Sequence, residues 1–130
     1  MLFLQMALSL GISISLGKIL YMSNRSDGLL VLDIMESIEA ILSYTQGVTE
    51  EAFLANREKS DAVIRNIEVI GEAAGILSET FQEKHPEIPW HQMVGMRNRL
   101  IHGYFGVSLK IIWQVVVVDL PVLYAQIKKI

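Results

Sequence analysis

The feature that most constrains this chain is a helical spacing of apolar side chains, which recurs from about residue 28 onward. Over residues 28–46, apolar positions fall on one helical face and acidic positions lie around the other. The apolar positions are Val31, Met35, Ile38 and Leu42, and the acidic ones are Asp33, Glu36 and Glu39. Gly47 is expected to end this helix. Such a pattern predicts helices that bury one face against each other.

Capping signals predict two helices after this one. Thr49, followed by two acids, predicts the start of a short helix that runs to about Asn56. Ser60 and Asp61 predict the cap of a long helix that continues to about Lys84. Small residues crowd the middle of this long helix, where we expect a close crossing with another helix. They are Gly71, Ala73, Ala74 and Gly75.

Two prolines within residues 85–89 break the chain, since proline cannot continue a helix and restricts the residue before it. The next predicted helix covers about 90–102, and Ser108 caps a last helix with a bend near Pro121. The four valines at 115–118 favour a strand by propensity, but a single strand would have no partner. The sequence therefore predicts an all-α fold, an antiparallel up-down helical bundle of four main helices plus a short helix.

Composition limits the possible functions. At 130 residues the chain is long enough for one domain and one core. Its 52% hydrophobic content suggests either a membrane segment or a buried subunit interface. The absence of cysteine excludes disulfides and thiolate metal sites, and it fits the cytoplasmic location that we expect. With a net charge of −3, any contact with RNA depends on a local basic patch.

The first 22 residues differ from the rest, because no charged residue occurs in positions 1–17. A membrane helix is one interpretation, although 17 residues span only about 25 Å as a helix. A secretory signal would need a positive n-region, which is missing. We favour an upstream extension with translation starting at Met22. The predicted organisation is an apolar N-terminal extension over 1–22, from a mis-assigned start, and one domain over 23–130, with no membrane partner.

The segment 97–104, Arg-Asn-Arg-Leu-Ile-His-Gly-Tyr, concentrates groups suited to phosphate chemistry. Arg97 offers a planar fork to phosphate oxygens, and His102 can donate or accept a proton near neutral pH. These two residues are five apart, so on one helix they differ in direction by about 140°. Asn98, four before His102, shares its face. The alternative is a solvated helix end whose positive charges complement the C-terminal carbonyl groups.

RNA carries its own nucleophile, the 2′-hydroxyl, so metal-free cleavage needs an acid, a base and a cationic stabiliser. Each chain supplies one His102, and a two-fold dimer that joins the segments would supply two histidines and two arginines. The other histidines, His85 and His91, have no ligand-like spacing with His102 and no nearby carboxylate cluster. We therefore expect neither a metal site nor a cofactor.

At these residues the chain resembles the HepT-like toxins of the HEPN superfamily. The resemblance extends over about 29–130 and rests on four ordered matches. Residues 61–73 are similar to the central helix of the family, and residues 85–90 are similar to its proline loop. Residues 95–106 match its active-site segment, and residues 119–121 match its C-terminal helix.

The resemblance implies that the predicted domain is a HEPN/HepT-like ribonuclease, a metal-independent RNA endonuclease and the toxin of a type VII toxin–antitoxin pair. Arg97 and His102 would be the catalytic residues of a site that is composite across a homodimer. Asn98 and Arg99 would support this site or contact RNA. Tyr104 would be AMPylated by a minimal nucleotidyltransferase antitoxin of the MntA type, and the added bulk and charge would block RNA entry.

The sequence leaves several alternatives open. The RNA substrate could be tRNA or mRNA, because no base-reading element is visible. HEPN folds also host non-catalytic modules, which would bind a nucleotidyltransferase partner or a nucleotide without cutting RNA. A membrane-tethered helical protein is a third hypothesis, and only residues 1–22 motivate it.

Overall fold

The computed structural model describes residues 25–103 and 107–130, and every regular element within these stretches is a helix. The expected extension over 1–22 and the expected modification site at Tyr104 lie outside the described residues. The helices are α1 (Asp27–Thr45), α2 (Glu50–Ala55), α3 (Arg57–Ile76), α4 (Glu79–Lys84), α5 (Trp90–His102), α6 (Leu109–Gln114) and α7 (Leu120–Lys128). A π-helical turn (Val115–Asp119) joins α6 to α7. The predicted all-α class is confirmed for this part of the chain.

Polar side chains determine where most of these helices begin. Five capping residues each accept a hydrogen bond of 3.0–3.2 Å from a backbone N–H in the first turn of the next helix. They are Ser26 for α1, Thr49 for α2, Asn56 for α3, Ser78 for α4 and Ser108 for α6. These bonds satisfy donors that the first turn of a helix leaves unpaired.

Helix α3 begins earlier than the sequence predicted. Its cap is Asn56, whose Oδ1 accepts from the Lys59 N–H at 3.0 Å. The predicted cap, Ser60, is instead buried within the first turns of α3, and its Oγ donates to the Arg57 carbonyl oxygen at 3.1 Å. The prediction was wrong because Asn56 offers an equally good cap one turn earlier.

The predicted long helix also ends earlier than expected, at Ile76. Ser78 starts the separate helix α4, and Asp27 at the beginning of α1 binds it twice. The Ser78 backbone N–H donates to Asp27 Oδ1 at 3.0 Å, and its Oγ donates to Asp27 Oδ2 at 2.7 Å. Apart from α6, which continues through the π-helical turn into α7, the described residues therefore contain two short helices, α2 and α4, where the sequence predicted one.

The core is built around α3, which packs against both α1 and α5. Its inward positions are buried and apolar: Val63, Ile67, Ile70, Ala73 and Ala74. Helix α2 packs against α6 through Phe53, a fully buried side chain whose ring centroid lies 5.0 Å from that of Trp113. Burial of an aromatic side chain of this size contributes about 3 kcal/mol to folding.

The valines at 115–118 are helical, which confirms the decision against a strand. The last helix departs from α-helical geometry at the π-helical turn Val115–Asp119, close to Pro121, near which the sequence predicted a bend. The Leu120 N–H bonds to the Val115 carbonyl oxygen, five residues back. Pro121 then stands in the first turn of α7, where its missing N–H costs little.

The continuous run Leu109–Lys128 is long and apolar enough to cross a membrane by length and composition, although a core helix meets the same criteria. One side of the run packs into the core through Ile112, Trp113, Val116, Leu120, Leu123 and Ile127. Apolar side chains also occupy its exposed positions, namely Ile111, Val117, Val118 and Val122. The high hydropathy of the run thus comes from both a buried and an exposed apolar surface.

Candidate active site

The loop of residues 85–89 fixes the start of α5, the helix that carries the candidate site. Trp90 is buried, and its Nε1–H donates to the His85 carbonyl oxygen at 3.0 Å. The Phe81 ring lies 4.8 Å from the His85 ring and 6.1 Å from the Trp90 ring, centroid to centroid. The expected proline break is confirmed, and the aromatic contacts anchor α5 at its N-terminal end.

Helix α5 crosses α3 closely at Gly71. A Cβ atom built on Gly71 would overlap Arg97 Cβ and would lie 2.6 Å from the Met93 carbonyl oxygen. The neighbouring small residues Ala73 and Ala74 are fully buried in the same region. The close crossing predicted from the small-residue stretch is therefore confirmed, and Arg97 lies against Gly71 at this crossing.

Arg97 is half-buried against α3. Its Nη1 donates to Asn98 Oδ1 at 3.0 Å. Its Nε is buried and has no hydrogen-bond partner among the residues that the structure describes. The aliphatic stem of Arg97 is therefore packed against a helix, while one guanidinium nitrogen is held by the adjacent amide. Such packing limits the rotamers that a long side chain can adopt.

Asn98 and His102 lie one turn apart and are both exposed. His102 is the last residue of α5, and the Gly103 N–H closes the helix by donating to the Arg99 carbonyl oxygen at 2.9 Å. Arg99 and His102 stand in the last turn, where the partial negative charge of the helix end interacts favourably with cations. The prediction that this helix ends at about His102 is confirmed.

The structure brings some of the predicted site residues together and separates others. Arg97 and Asn98 are hydrogen-bonded, and Asn98 shares a face with His102. Within residues 25–103 and 107–130, no hydrogen bond or ion pair joins Arg97 to His102 or Arg99 to Asn98. Tyr104 lies outside the described residues. At the candidate site, the described part of one chain therefore offers the Arg97 guanidinium, the Asn98 amide and the His102 imidazole, but no second imidazole.

The other two histidines, His85 and His91, lie near the N-terminal end of α5. His85 Nδ1 lies 3.7 Å from Glu87 Oε1, and His91 is exposed on the first turn of α5. Over the described stretches, no group of three or more His, Cys, Asp or Glu side chains could hold a metal ion.

The sequence did not reveal which residue of α3 contacts Arg97. Gly71 was singled out as one of several small residues at a helix crossing, without a partner. A glycine on one helix that faces a long side chain on another would have indicated this contact. Such a pair can be recognised only when the register of the two helices is known.

Comparisons with known proteins place these features in a family. The family model described as "Ribonuclease HepT-like" matches residues 34–130. A relative from Thermococcus cleftensis, named "Probable ribonuclease HepT", is 43% identical over 98 residues, which cover 75% of this chain and 89% of the relative. The chain belongs to the HepT-like family of the HEPN superfamily. The matched residues of this HepT-like chain include the whole of α5 and, with it, Arg97, Asn98 and His102.

A second HepT-like relative, from Methanocaldococcus jannaschii, is named "Putative RNase MJ1380". It is 40% identical over 100 residues, which cover 77% of this chain and 92% of the relative. No solved structure matched. The family resemblance inferred from the residues is thus confirmed by comparisons that span three quarters of the HepT-like chain.

Proposed function

We propose that this HepT-like protein is a metal-independent RNA endonuclease and the cytoplasmic toxin of a type VII toxin–antitoxin pair. The observation that carries the proposal is the arrangement at the end of α5, where Arg97 is tied to Asn98 and His102 stands exposed one turn away. Membership in a family with relatives named as ribonucleases supports it. Arg97 and His102 are the proposed catalytic residues, with Asn98 and Arg99 in support.

The proposed reaction transfers a phosphoryl group within the RNA chain. The 2′-oxygen forms a bond to the adjacent phosphorus while the bond from phosphorus to the 5′-oxygen breaks. One His102 accepts the proton of the 2′-hydroxyl, and a second imidazole donates a proton to the leaving 5′-oxygen. The Arg97 guanidinium stabilises the extra negative charge on the phosphoryl oxygens in the transition state. The products are a 2′,3′-cyclic phosphate and a 5′-hydroxyl.

A homodimer is part of this proposal because one chain offers a single His102 for two proton-transfer roles. A two-fold axis near the end of α5 would place His102 of each chain at one shared cleft, together with both copies of Arg97. The HEPN-like up-down bundle that we propose for the protomer exposes this helix end. The composite site also explains why Arg97 and His102 need not touch within one chain.

Control of the activity is proposed to act through Tyr104, two residues beyond His102. A cognate MntA-like nucleotidyltransferase would transfer AMP to the phenol oxygen of Tyr104, with release of pyrophosphate from ATP. The added phosphate carries negative charge next to the proposed phosphate-binding groups. Repulsion and bulk would then exclude the RNA backbone.

The test is cleavage of a mixed tRNA and mRNA pool by purified protein in excess EDTA. We expect wild-type protein to cut, and Arg97→Ala and His102→Ala to lose at least about 100-fold in rate, as for removal of a transition-state or proton-transfer group. His91→Ala is the matched control for His102, because His91 is exposed on the same helix. Arg57→Ala, on the exposed start of α3, is the control for Arg97.

One observation favours a second candidate function, a non-catalytic module that binds a nucleotidyltransferase or a nucleotide. The Arg97 stem packs against α3, His102 is exposed, and no hydrogen bond joins the two among the described residues, so the described chain alone forms no closed catalytic pair. Protein that binds RNA or ATP in equilibrium measurements, yet never cleaves RNA as a dimer, would support this candidate over the nuclease.

A further inference from the structure

Gly71 is the one described glycine whose missing side chain makes room for the candidate site. A Cβ atom at this position would overlap Arg97 Cβ, would lie 2.6 Å from the Met93 carbonyl oxygen and 3.1 Å from Arg97 Cγ. Two of these three atoms cannot move without shifting the backbone of α5, since they are a backbone oxygen and a Cβ. Gly75, one turn further along α3, has only an ordinary contact at 3.5 Å, with Val94 Cγ2.

We propose that Gly71 is a positioning residue for Arg97, forming a notch in α3 that seats the stem of the arginine. This inference rests on the proposed function, because it assigns Arg97 a role on phosphate. Gly71 itself touches no substrate. It fixes the depth at which the arginine stem lies between the two helices, and thereby the position of the guanidinium at the protein surface.

Two contacts together define the arginine geometry. At its base, the Arg97 Cβ and Cγ atoms are packed on Gly71, and at its tip Nη1 is held by Asn98 Oδ1 at 3.0 Å. In the proposed site, the terminal Nη2 would contact a phosphate oxygen. A displacement of about 1 Å of such a group can cost about 100-fold in rate, even when the group is still present.

A methyl group at Gly71 would push α5 away from α3 and lift the Arg97 stem out of its notch. Since Asn98 and His102 move with α5, the bond between Arg97 and Asn98 can persist while the guanidinium is displaced relative to the second chain of the proposed composite site. The catalytic rate should fall, because transition-state stabilisation depends on position. RNA affinity should change little, since charge–charge attraction to the backbone tolerates small shifts.

The kinetic test compares Gly71→Ala with Gly75→Ala. We expect Gly71→Ala to lower kcat by about 10- to 100-fold with a KM for RNA within about twofold of wild type. Gly75→Ala, which adds the same methyl group to the same helix, should leave both constants unchanged. Equal kinetics for the two folded variants would overturn the proposal, and so would a Gly71→Ala loss that appears in KM alone.

A second measurement uses the wild-type protein and needs no activity. In ¹⁵N-labelled protein, the Nε–H resonance of Arg97, assigned from its absence in Arg97→Lys, should show restricted motion and slow exchange with water. The Nε–H of Arg57, whose side chain is 93% exposed and lies 3.6 Å from Asp61 Oδ2, is the internal reference for a solvent-exposed arginine. If Arg97 moves as freely as Arg57, the notch does not seat it and the proposal is wrong. A restricted Arg97 in a protein that cuts no RNA would instead refute only the nuclease function.

Discussion

Arg97 Nη1 donates a hydrogen bond of 3.0 Å to Asn98 Oδ1, so two adjacent residues of α5 act as one unit at the candidate site. Removal of the acceptor by Asn98→Ala should free the guanidinium tip while the stem stays packed. We expect kcat for RNA cleavage to fall by about tenfold, which corresponds to about 1.4 kcal/mol of transition-state stabilisation. Steady-state kinetics on a fluorogenic RNA oligonucleotide would measure this.

Asn98→Asp sharpens the same prediction. A carboxylate keeps the acceptor for Arg97 but neutralises its charge and repels phosphate, so the loss should exceed that of Asn98→Ala. Asn66→Ala is the control, because Asn66 Nδ2 donates to the Ala62 carbonyl oxygen within α3, away from the candidate site. An Asn98→Ala variant with wild-type kcat would show that the bond between Arg97 and Asn98 has no part in catalysis.

The contacts between Asp27 and Ser78 predict a stability effect far from the site. Ser78 caps α4 and binds both carboxylate oxygens of Asp27, which lies 51 residues away at the start of α1. Ser78→Ala should lower the free energy of unfolding by about 1–2 kcal/mol, the usual cost of losing a cap with an added partner. Urea unfolding followed by circular dichroism would measure it.

Two comparisons test the origin of that effect. Ser43→Ala, an exposed serine on α1, should change the unfolding free energy by less than about 0.5 kcal/mol. The double variant with Asp27→Ala should be less destabilised than the sum of the single changes, because the two residues share their bonds. Strict additivity would mean that the contact contributes nothing.

The environment of Tyr124 predicts that the stability of the fold decreases at alkaline pH. Burial raises the pKa of Tyr124 above its ordinary value of 10.0, and the hydrogen bond to Glu39 and the charge of that carboxylate raise it further. The fold thus favours the neutral phenol. This contribution to stability is fully present below the unfolded-state value and is lost as pH rises through the raised folded-state pKa.

Ultraviolet absorbance during an alkaline titration would test this prediction. Tyr124→Phe should remove a late tyrosinate step, and Glu39→Gln should move that step towards pH 10, the ordinary value. Glu36→Gln, an exposed acid on the same helix, is the matched control and should leave it unchanged. An unaltered titration in Glu39→Gln would contradict the contribution to the pKa of Tyr124 that is assigned to Glu39.

Much of the fold could be predicted from apolar spacing and capping residues, because both are local properties of the sequence. The long helix predicted up to Lys84 was wrong, since Leu77 and Phe81 continue the helical period while Ser78 interrupts it. That interruption is stabilised by Asp27, a partner distant in sequence. Local patterns could not choose between a continuous and a broken helix there.

The site was predictable as a set of residues but not as an arrangement. The order of the groups in 97–102 and their direction on a helix follow from the sequence. The packing of Arg97 on Gly71 cannot be derived from the sequence in this way, because it depends on the register between two helices. The contacting residues lie 26 positions apart. The small-residue stretch predicted that a close crossing exists without saying what it holds.

The proposed AMPylation of Tyr104 predicts an increase in the mass of the protein. Protein co-expressed with a cognate nucleotidyltransferase should exceed its sequence mass by one or more AMP units, and Tyr104→Phe should remove the addition. The Tyr104→Phe protein should still cleave RNA but resist neutralisation. Intact mass spectrometry with peptide mapping would measure both forms. Tyr44→Phe, at an exposed tyrosine on α1, is the control. An unmodified yet fully inhibited complex would mean that the antitoxin acts by masking the site.

The central claim is tested most directly by the chemistry of the RNA ends produced in excess EDTA. With a 2′-hydroxyl as nucleophile and Arg97 and His102 as catalytic groups, mass spectrometry should find 2′,3′-cyclic phosphate and 5′-hydroxyl ends. These ends should disappear with Arg97→Ala or His102→Ala and remain with His91→Ala. Products ending in a 3′-hydroxyl and a 5′-phosphate, or unchanged cleavage by both alanine variants, would contradict the account.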